Sequence, residues 1–526
     1  MRILQIVHAF PPDSIAGTET YCKALSEHLL RRGHECMVLA GSDRSAPQAT
    51  LSTVDQDGLL VTRYLRPEGQ PTRWTEEYDP EAEGLVRRLL ALVQPDIVHL
   101  HHWQRLSNNL VAICAEKGSP VVVTLHDVWT SCPRIHRIRW DGEFCTDPPA
   151  TAPCVTCAER SPWQGDQESL SALALRRRII DLELALAEAI IVPSEAHRAF
   201  LLPLLDLPED RLTVLPHGSI PTVTARQRRE GGPDFPGRPL QIGHWGHLMY
   251  LKGSHLILEA VHKLRDPSAL RVHLIGTTIE QGYERRLREL AAGIPVQFQG
   301  TYRPADLESL DLDIAVLASI ASESYSFALD EALRLGLPVL VSDRGALPER
   351  IGAAGLTFRA GDSDDLARRI QEILDTPQLL ETMRRSIRVE THFSMEAHVG
   401  MLEKIYEDAA DKEEPARSFS TPYLELMTHA KQVVRARETT LSDLQLRLAR
   451  AEAALHEREA LLQETRDGLL RAEAAVHEKE ILLQRAHHTL DMLQRDHANL
   501  EAYLLELKRT PLFKLRELLE RLSGRP

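Results

Sequence analysis

Up to residue 410 the chain repeats one pattern, a short unbroken apolar run followed by a longer stretch whose apolar residues recur at helical spacing. Ile3 to Val7 is the first such run. The loop His8 to Thr18 leads into an expected helix at Glu19 to Arg32, which Gly33-His34 ends, and Cys36 to Ala40 is the next strand. Pro95 to His102 and Pro120 to Asp127 are expected strands with polar ends, His99-Leu100-His101-His102 and His126-Asp127. Glu188 to Ser194 and Leu212 to Gly218 close a first set, and Gly231 to Pro239 has the Gly and Pro content of a linker. A second set opens at Leu240 to Gly243 and runs through a helix at Ser254 to Leu264, a strand at Arg271 to Ile275, a helix at Glu280 to Ala292 and a strand at Pro295 to Phe298. Strand and helix in alternation imply doubly wound parallel sheets, and two sets imply two domains. In such sheets ligands bind beyond the carboxyl ends of the strands, so both histidine clusters are expected to point at a cleft.

Residues 314 to 350 condense the pattern. Ile314 to Leu317 is a buried strand, and from Ser326 the residues Phe327, Leu329, Ala332 and Leu333 have helical spacing until Gly336-Leu337-Pro338. Val339 to Val341 is the next strand. Free amides at the helix start, Ser326, Phe327, Ala328 and Leu329, can receive a phosphate. Glu331 is expected about two turns from Glu323 on nearly the same face, so that both carboxylates converge on one polyol. The alternative is a capping Glu323 and a solvated Glu331. Helices at Asp362 to Leu374 and Met395 to Ala410 follow.

Beyond 411 the pattern changes. A polar linker precedes a heptad with Leu441, Leu448, Leu455, Leu462, Leu469, Val476, Leu483, Leu490 and Leu504 at one core position. RAEAALHEREALLQ at 450 recurs as RAEAAVHEKEILLQ at 471, three whole heptads on. A coiled coil, and with it a homo-oligomer, is expected, the alternative being a single solvated helix. The tail from Pro511 to Leu522 is amphipathic and suits a membrane surface or a partner.

The 526 residues suffice for two domains and an extension, and the net charge of −14 excludes a nucleic-acid binder. Seven cysteines and no stretch of roughly 20 apolar residues imply a reducing, cytoplasmic setting and a soluble or peripheral protein. Pro11-Pro12 interrupts the apolar start, so it reads as neither signal peptide nor anchor. Four cysteines cluster in a loop-like stretch: Cys132, Cys145, Cys154 and Cys157 suit a structural zinc with no open position, while free thiols or disulfide and redox use remain open. For the histidines a metal is disfavoured, because His99 and His101 are expected to face opposite ways.

Glu323-x7-Glu331, then Gly336-Leu337-Pro338-Val339 and Ser342-Asp343-Arg344-Gly345-Ala346-Leu347-Pro348-Glu349, resemble the donor-site signature of family 4 retaining glycosyltransferases, which have the two-domain GT-B fold. The resemblance covers about four-fifths of the chain and implies that Glu323 faces the donor sugar and Glu331 binds the ribose. His126 matches the position that contacts the donor sugar, making His126 and Glu323 the catalytic pair. His247 to Gly253 is similar to the family's phosphate-binding stretch, with His247 where an arginine is usual and Lys252 retained, so the bidentate clamp is lost. Ser324-Tyr325-Ser326-Phe327 replaces the commoner Gly-Phe-Gly-Leu, and Ala16-Gly17-Thr18-Glu19 keeps one of two glycines.

The implied architecture is α/β: a first Rossmann-like domain at 1–220 with a cysteine-bearing insertion at 128–160, a linker at 221–237, and a donor-binding domain at 238–394. A helix at 395–410 returns to the first domain, followed by a linker at 411–436, a coiled coil at 437–508 and a tail at 509–526. The implied reaction moves a sugar from a nucleotide diphosphate sugar to a saccharide or lipid-linked acceptor, in polysaccharide or glycolipid assembly at the inner face of the membrane. No metal is required for it. The acceptor is expected around Gly17 and residues 99 to 103. The rival readings are phosphorolysis or epimerisation on the same fold, and a non-catalytic assembly protein.

Overall fold

The computed structural model describes residues 1–68, 78–158, 165–224, 237–388, 393–411, 440, 443–463, 465 and 480–509. Residues 1–158 and 173–418 form one compact unit, and 159–172 with 419–526 form another.

Two sheets build the first unit. β1 (Arg2–Val7) lies at the centre of the first, between β2 (Glu35–Ala40) and β6 (Ile97–Leu100), both parallel to it. β7 (Val121–Thr124), β8 (Ala189–Val192) and β9 (Leu212–Val214) extend it on the β6 side. Every residue of β6 and β7 is buried, as unbroken apolar runs require in a sheet covered on both faces. On the other side the structure adds strands that the apolar runs did not announce. β3 (Ser45–Ala46) and β5 (Leu59–Pro67) continue the sheet, and β4 (Thr50–Gln56) pairs antiparallel with β5. The β4–β5 turn is Asp57-Gly58, both with positive φ, the backbone that a tight hairpin needs.

The second sheet is wholly parallel, in the order β12 (Val296–Gln299), β11 (Leu270–Ile275), β10 (Leu240–Trp245), β13 (Ile314–Leu317), β14 (Val339–Ser342), β15 (Gly355–Phe358). The order reverses beside β10, so the crevice at the carboxyl ends of β10 and β13 is the place for a ligand. One apolar layer packs the helices Ser254–His262 and Ser363–Asp375 on this sheet, and a second, with Leu329 and Leu333, covers the other face.

The helix Met395–Ala410 packs on the first sheet, where Met395, Val399, Leu402 and Tyr406 join Ile3, Val7 and Tyr21 in one core. Its outer face pairs with Arg32 and His34 through Glu403, at 2.7 and 2.8 Å. Gly218 is indispensable here, since a Cβ would come within 2.4 Å of the Met395 Cα.

The second unit is helical at 443–463 and at Glu480–Arg509. Leu448, Leu455 and Leu462, and then Leu490 and Leu504, are less exposed than most of their neighbours and follow the expected heptad positions, with Leu493 and Leu500, at the second core position of the heptad, shielded beside them. The heptad positions Leu441, Leu469 and Val476, residues 225–236 of the linker expected at 221–237, residues 412–436 of the linker expected at 411–436, and the tail from 510 lie outside the described residues. Among the described residues no helix is long and apolar enough to cross a membrane.

Candidate active site

Lys252 and Glu323, far apart in sequence, meet at the carboxyl ends of β10 and β13. Lys252 ends a short turn, Tyr250–Lys252, and Gly253, at φ +69°, starts the next helix. A Cβ on Gly253 would lie 1.9 Å from the Ala318 carbonyl, so only glycine lets the two loops touch. The Lys252 Nζ then donates to Glu323 Oε1 at 2.6 Å, and Ser319 Oγ donates to the same oxygen. Gly345 and Ala346 fix the other side of Glu323, with Ala346 N donating to its carbonyl at 2.7 Å. Burial raises the Glu323 carboxyl, but the Lys252 ammonium and the hydrogen bonds from Lys252 and Ser319 outweigh it and leave the group below the usual range.

The expected shared helical face of Glu323 and Glu331 is not what forms. The helix is Phe327–Arg334 with Ser326 as its cap, so Glu323 belongs to the turn ahead of it. Glu331 is a buried helical residue whose carboxylate accepts from Trp245 Nε1 at 2.8 Å and Thr222 Oγ1 at 2.9 Å. Burial raises its pKa, and those two hydrogen bonds only partly offset the rise. Ser326 adopts φ +82°, ψ +96°, a backbone that favours glycine, and its Oγ accepts from Leu329 N at 3.4 Å. Phe327 packs against the first-domain core, Ala328 is half-buried and Leu329 fully buried. Gly17 opens the helix Gly17–Arg31, and a Cβ there would meet the Phe327 ring at 3.6 Å. His247 is exposed on the turn after β10.

His126 lies in the first domain, between His101 Nδ1 at 3.0 Å from its Nε2 and His217 Nε2 at 3.1 Å from its Nδ1. Its backbone carbonyl accepts from Ser324 Oγ, one residue after Glu323. Asp127 pairs with His102 at 3.4 Å. The expectation for His99 and His101 was wrong: residues two apart on a strand share a face, and their rings stand 4.1 Å apart. His99 is spent on Tyr406 and Thr124, at 2.6 and 2.7 Å. The stretch 99–103 is buried and presents almost no surface to an acceptor.

The cysteine-bearing insertion reaches further than its sequence suggests. Ile138 packs with Leu256, Ile320 and Ala321 of the second domain, and Arg344 lies over the Phe144 ring at 4.1 Å. Through this crossing His136 comes within the electrostatic reach of Lys252 and Glu323, a residue that no motif marks. Cys132, Cys145, Cys154 and Cys157 are free thiols lining one cavity of ≈ 40 Å³. Among the described residues no group of three or more His, Cys, Asp and Glu side chains is placed to hold a metal ion.

Residues 15–220 match the model of glycosyltransferase family 4, and residues 239–376 that of the glycosyl transferases group 1. An MMP alpha-(1->4)-mannosyltransferase of Mycolicibacterium hassiacum is 27% identical over 428 residues, 75% of this chain and 95% of that one. The sulfoquinovosyl transferase SQD2 of Arabidopsis thaliana is 30% identical over 163 residues, 30% of either chain. Among solved structures, Anabaena Alr3699/HepE in complex with UDP-glucose superposes on 78% of this chain and 100% of its own, with 15% identity and a TM-score of 0.52, a likeness of fold. With two parallel sheets and both family models matched in order, the chain belongs to the family 4 glycosyltransferases of GT-B fold.

Proposed function

We propose that the chain transfers a sugar from a nucleotide diphosphate sugar to an acceptor hydroxyl with retention of the anomeric configuration. The observation that carries this is the Lys252–Glu323 pair at 2.6 Å, just ahead of the helix that starts at Phe327. Lys252 takes the diphosphate as the bond from the sugar C1 to the phosphate oxygen breaks, helped by the amides of Ser326 to Leu329 and by His247. The acceptor oxygen bonds to C1 on the face the diphosphate leaves, and its proton passes to the departing phosphate. Glu323 holds sugar hydroxyls, and the carbonyl of His126 borders the same turn. The Glu331 carboxylate has four lone-pair sites, of which Trp245 and Thr222 take two, leaving room for the ribose diol. Gly17 leaves space beside Phe327.

No residue role here calls for a metal ion. The heptad stripe supports self-association through the 437–508 segment, and the tail supports peripheral membrane contact. The test is a panel of nucleotide diphosphate sugars with the purified protein, following free nucleotide diphosphate and, with an acceptor found, the anomer formed by NMR. One donor that is turned over supports the proposal; sugar phosphate or an altered nucleotide sugar as product favours another reaction on the fold. Full function in cells after Glu323→Ala, lost only with the helical extension, favours an assembly role.

A further inference from the structure

We propose that His217 is a positioning residue for the donor-side turn, holding Ser324 to Phe327 in place at the end of a one-way chain of imidazole hydrogen bonds that starts at Gln5. The inference rests on the reading that this turn receives the donor. Gln5 Oε1 can only accept, so His101 Nε2 donates to it at 2.7 Å. His101 Nδ1 is then bare and accepts from His126 Nε2 at 3.0 Å, and His126 Nδ1 accepts from His217 Nε2 at 3.1 Å. All three rings carry their proton on Nε2, which leaves His217 Nδ1 bare and buried with no hydrogen-bond partner among the described residues.

The far end of the chain is what the turn rests on. The His217 carbonyl accepts from Tyr325 Oη at 2.7 Å, and its ring stacks on Phe327, centroids 6.0 Å apart and planes 9° from parallel. Ser324 is held on both sides, its Oγ donating to the His126 carbonyl at 2.5 Å and its own carbonyl accepting from Ser194 Oγ at 2.8 Å. Ser326, between these anchors, keeps its positive φ of 82°. A serine stays in such a conformation only where its surroundings over-determine it. The histidine chain and Ser194 supply part of that constraint from the first domain, and Arg350, which donates to the Tyr325 and Ser326 carbonyls at 2.7 and 3.1 Å, supplies the rest from the second.

The chain works only while its rings are neutral. A proton on His126 Nδ1 would face the His217 Nε2 proton, and one on His217 Nδ1 would find no acceptor. The groups facing His217 are His126, His101, His398, Tyr21, Tyr325 and Arg350; those facing His126 are His101, His102, His197, Asp127, Tyr21 and His217. Burial, and then the neighbouring histidines, hold both below the usual histidine range.

The test is hydrogen exchange of the full chain, comparing the peptide over 323–331 with that over β10 in wild type, His217→Phe and His217→Gln, and UDP affinity by calorimetry alongside. His217→Phe keeps the ring stack but not the donor, and is expected to lose about tenfold in protection over 324–329 with β10 unchanged. His217→Gln can place an N–H near the lost Nε2 and is expected to stay within about twofold of wild type. Wild-type protection in His217→Phe overturns the proposal. If His217→Phe loosens the whole first domain, Tyr325→Phe decides: loss confined to the turn supports it, and no loss overturns it. If neither UDP nor any other nucleoside diphosphate binds any form of the chain, that counts against the donor reading alone, since the exchange result still decides the positioning.

Discussion

The buried imidazoles make the first domain acid-sensitive, and four of them set a lower bound on the amount, with His8, His197 and His398, also lowered by burial, adding to it. His99, His101, His126 and His217 are 0%, 1%, 8% and 2% exposed, and burial holds each well below the usual histidine range. A group whose folded pKa is depressed gives up stability as pH falls below its unfolded value, because the unfolded chain takes up protons that the folded one refuses. For histidine that window opens near pH 6.5. Moving from pH 7.5 to 5.5 therefore removes about 1.4 kcal/mol per ring, and about 5 kcal/mol for the four. This is comparable to the whole stability of a domain. Glu331, raised by burial, acts in the opposite direction, its carboxyl taking up a proton more readily in the folded chain as pH falls. The assay is urea unfolding followed by tryptophan fluorescence at constant ionic strength, since Trp103 and Trp129 are buried in the first domain and stacked 5.6 Å apart. His101→Gln should reduce the slope of stability against pH by about one proton. Equal stability at pH 7.5 and 5.5 would refute the reasoning.

Ser326→Gly should relieve the positive-φ backbone and raise stability by about 1 kcal/mol, read as a rise of a few degrees in Tm. Tyr406→Phe strips the partner from His99 Nδ1 and should lower stability by about 1–3 kcal/mol in the same melting assay. For the four-thiol cavity we propose a structural zinc on which the thiols close, so metal analysis of the purified chain should find about one zinc per chain, lost with Cys154→Ser/Cys157→Ser. Absence of zinc, with all thiols titratable, would leave them free.

How much of this was legible depended on the kind of signal. Buried parallel strands announce themselves as apolar runs, and Ile314–Leu317 appears where its sequence puts it. The Thr50–Pro67 hairpin went unread although Asp57-Gly58 is a strong turn signal, because β4 is largely exposed and offers no apolar run. Motif spacing found Lys252 and Glu323 and the helix start at Ser326, but wrongly carried the helical face back to Glu323, which lies in the turn ahead of the cap. His217 carried no signal beyond its place at the end of the expected strand from Leu212 to Gly218, since its role arises from the loops after β7 and β9 meeting the donor-side turn in space. The opposite facing assigned to His99 and His101 was an error of period, correctable from the sequence alone. His136 depends on an insertion crossing between domains, which no local pattern encodes.

The central claim is that Lys252 and Glu323 divide the donor between them, phosphates to one and sugar to the other. Calorimetric binding of one nucleoside diphosphate and its sugar conjugate to wild type, Lys252→Ala and Glu323→Gln tests it directly. Lys252→Ala should weaken both ligands about tenfold or more. Glu323→Gln should weaken the sugar conjugate while leaving the diphosphate equal or tighter, because Lys252 is released from its 2.6 Å partner. If Glu323→Gln weakens both ligands equally, or Lys252→Ala weakens neither, the division does not exist.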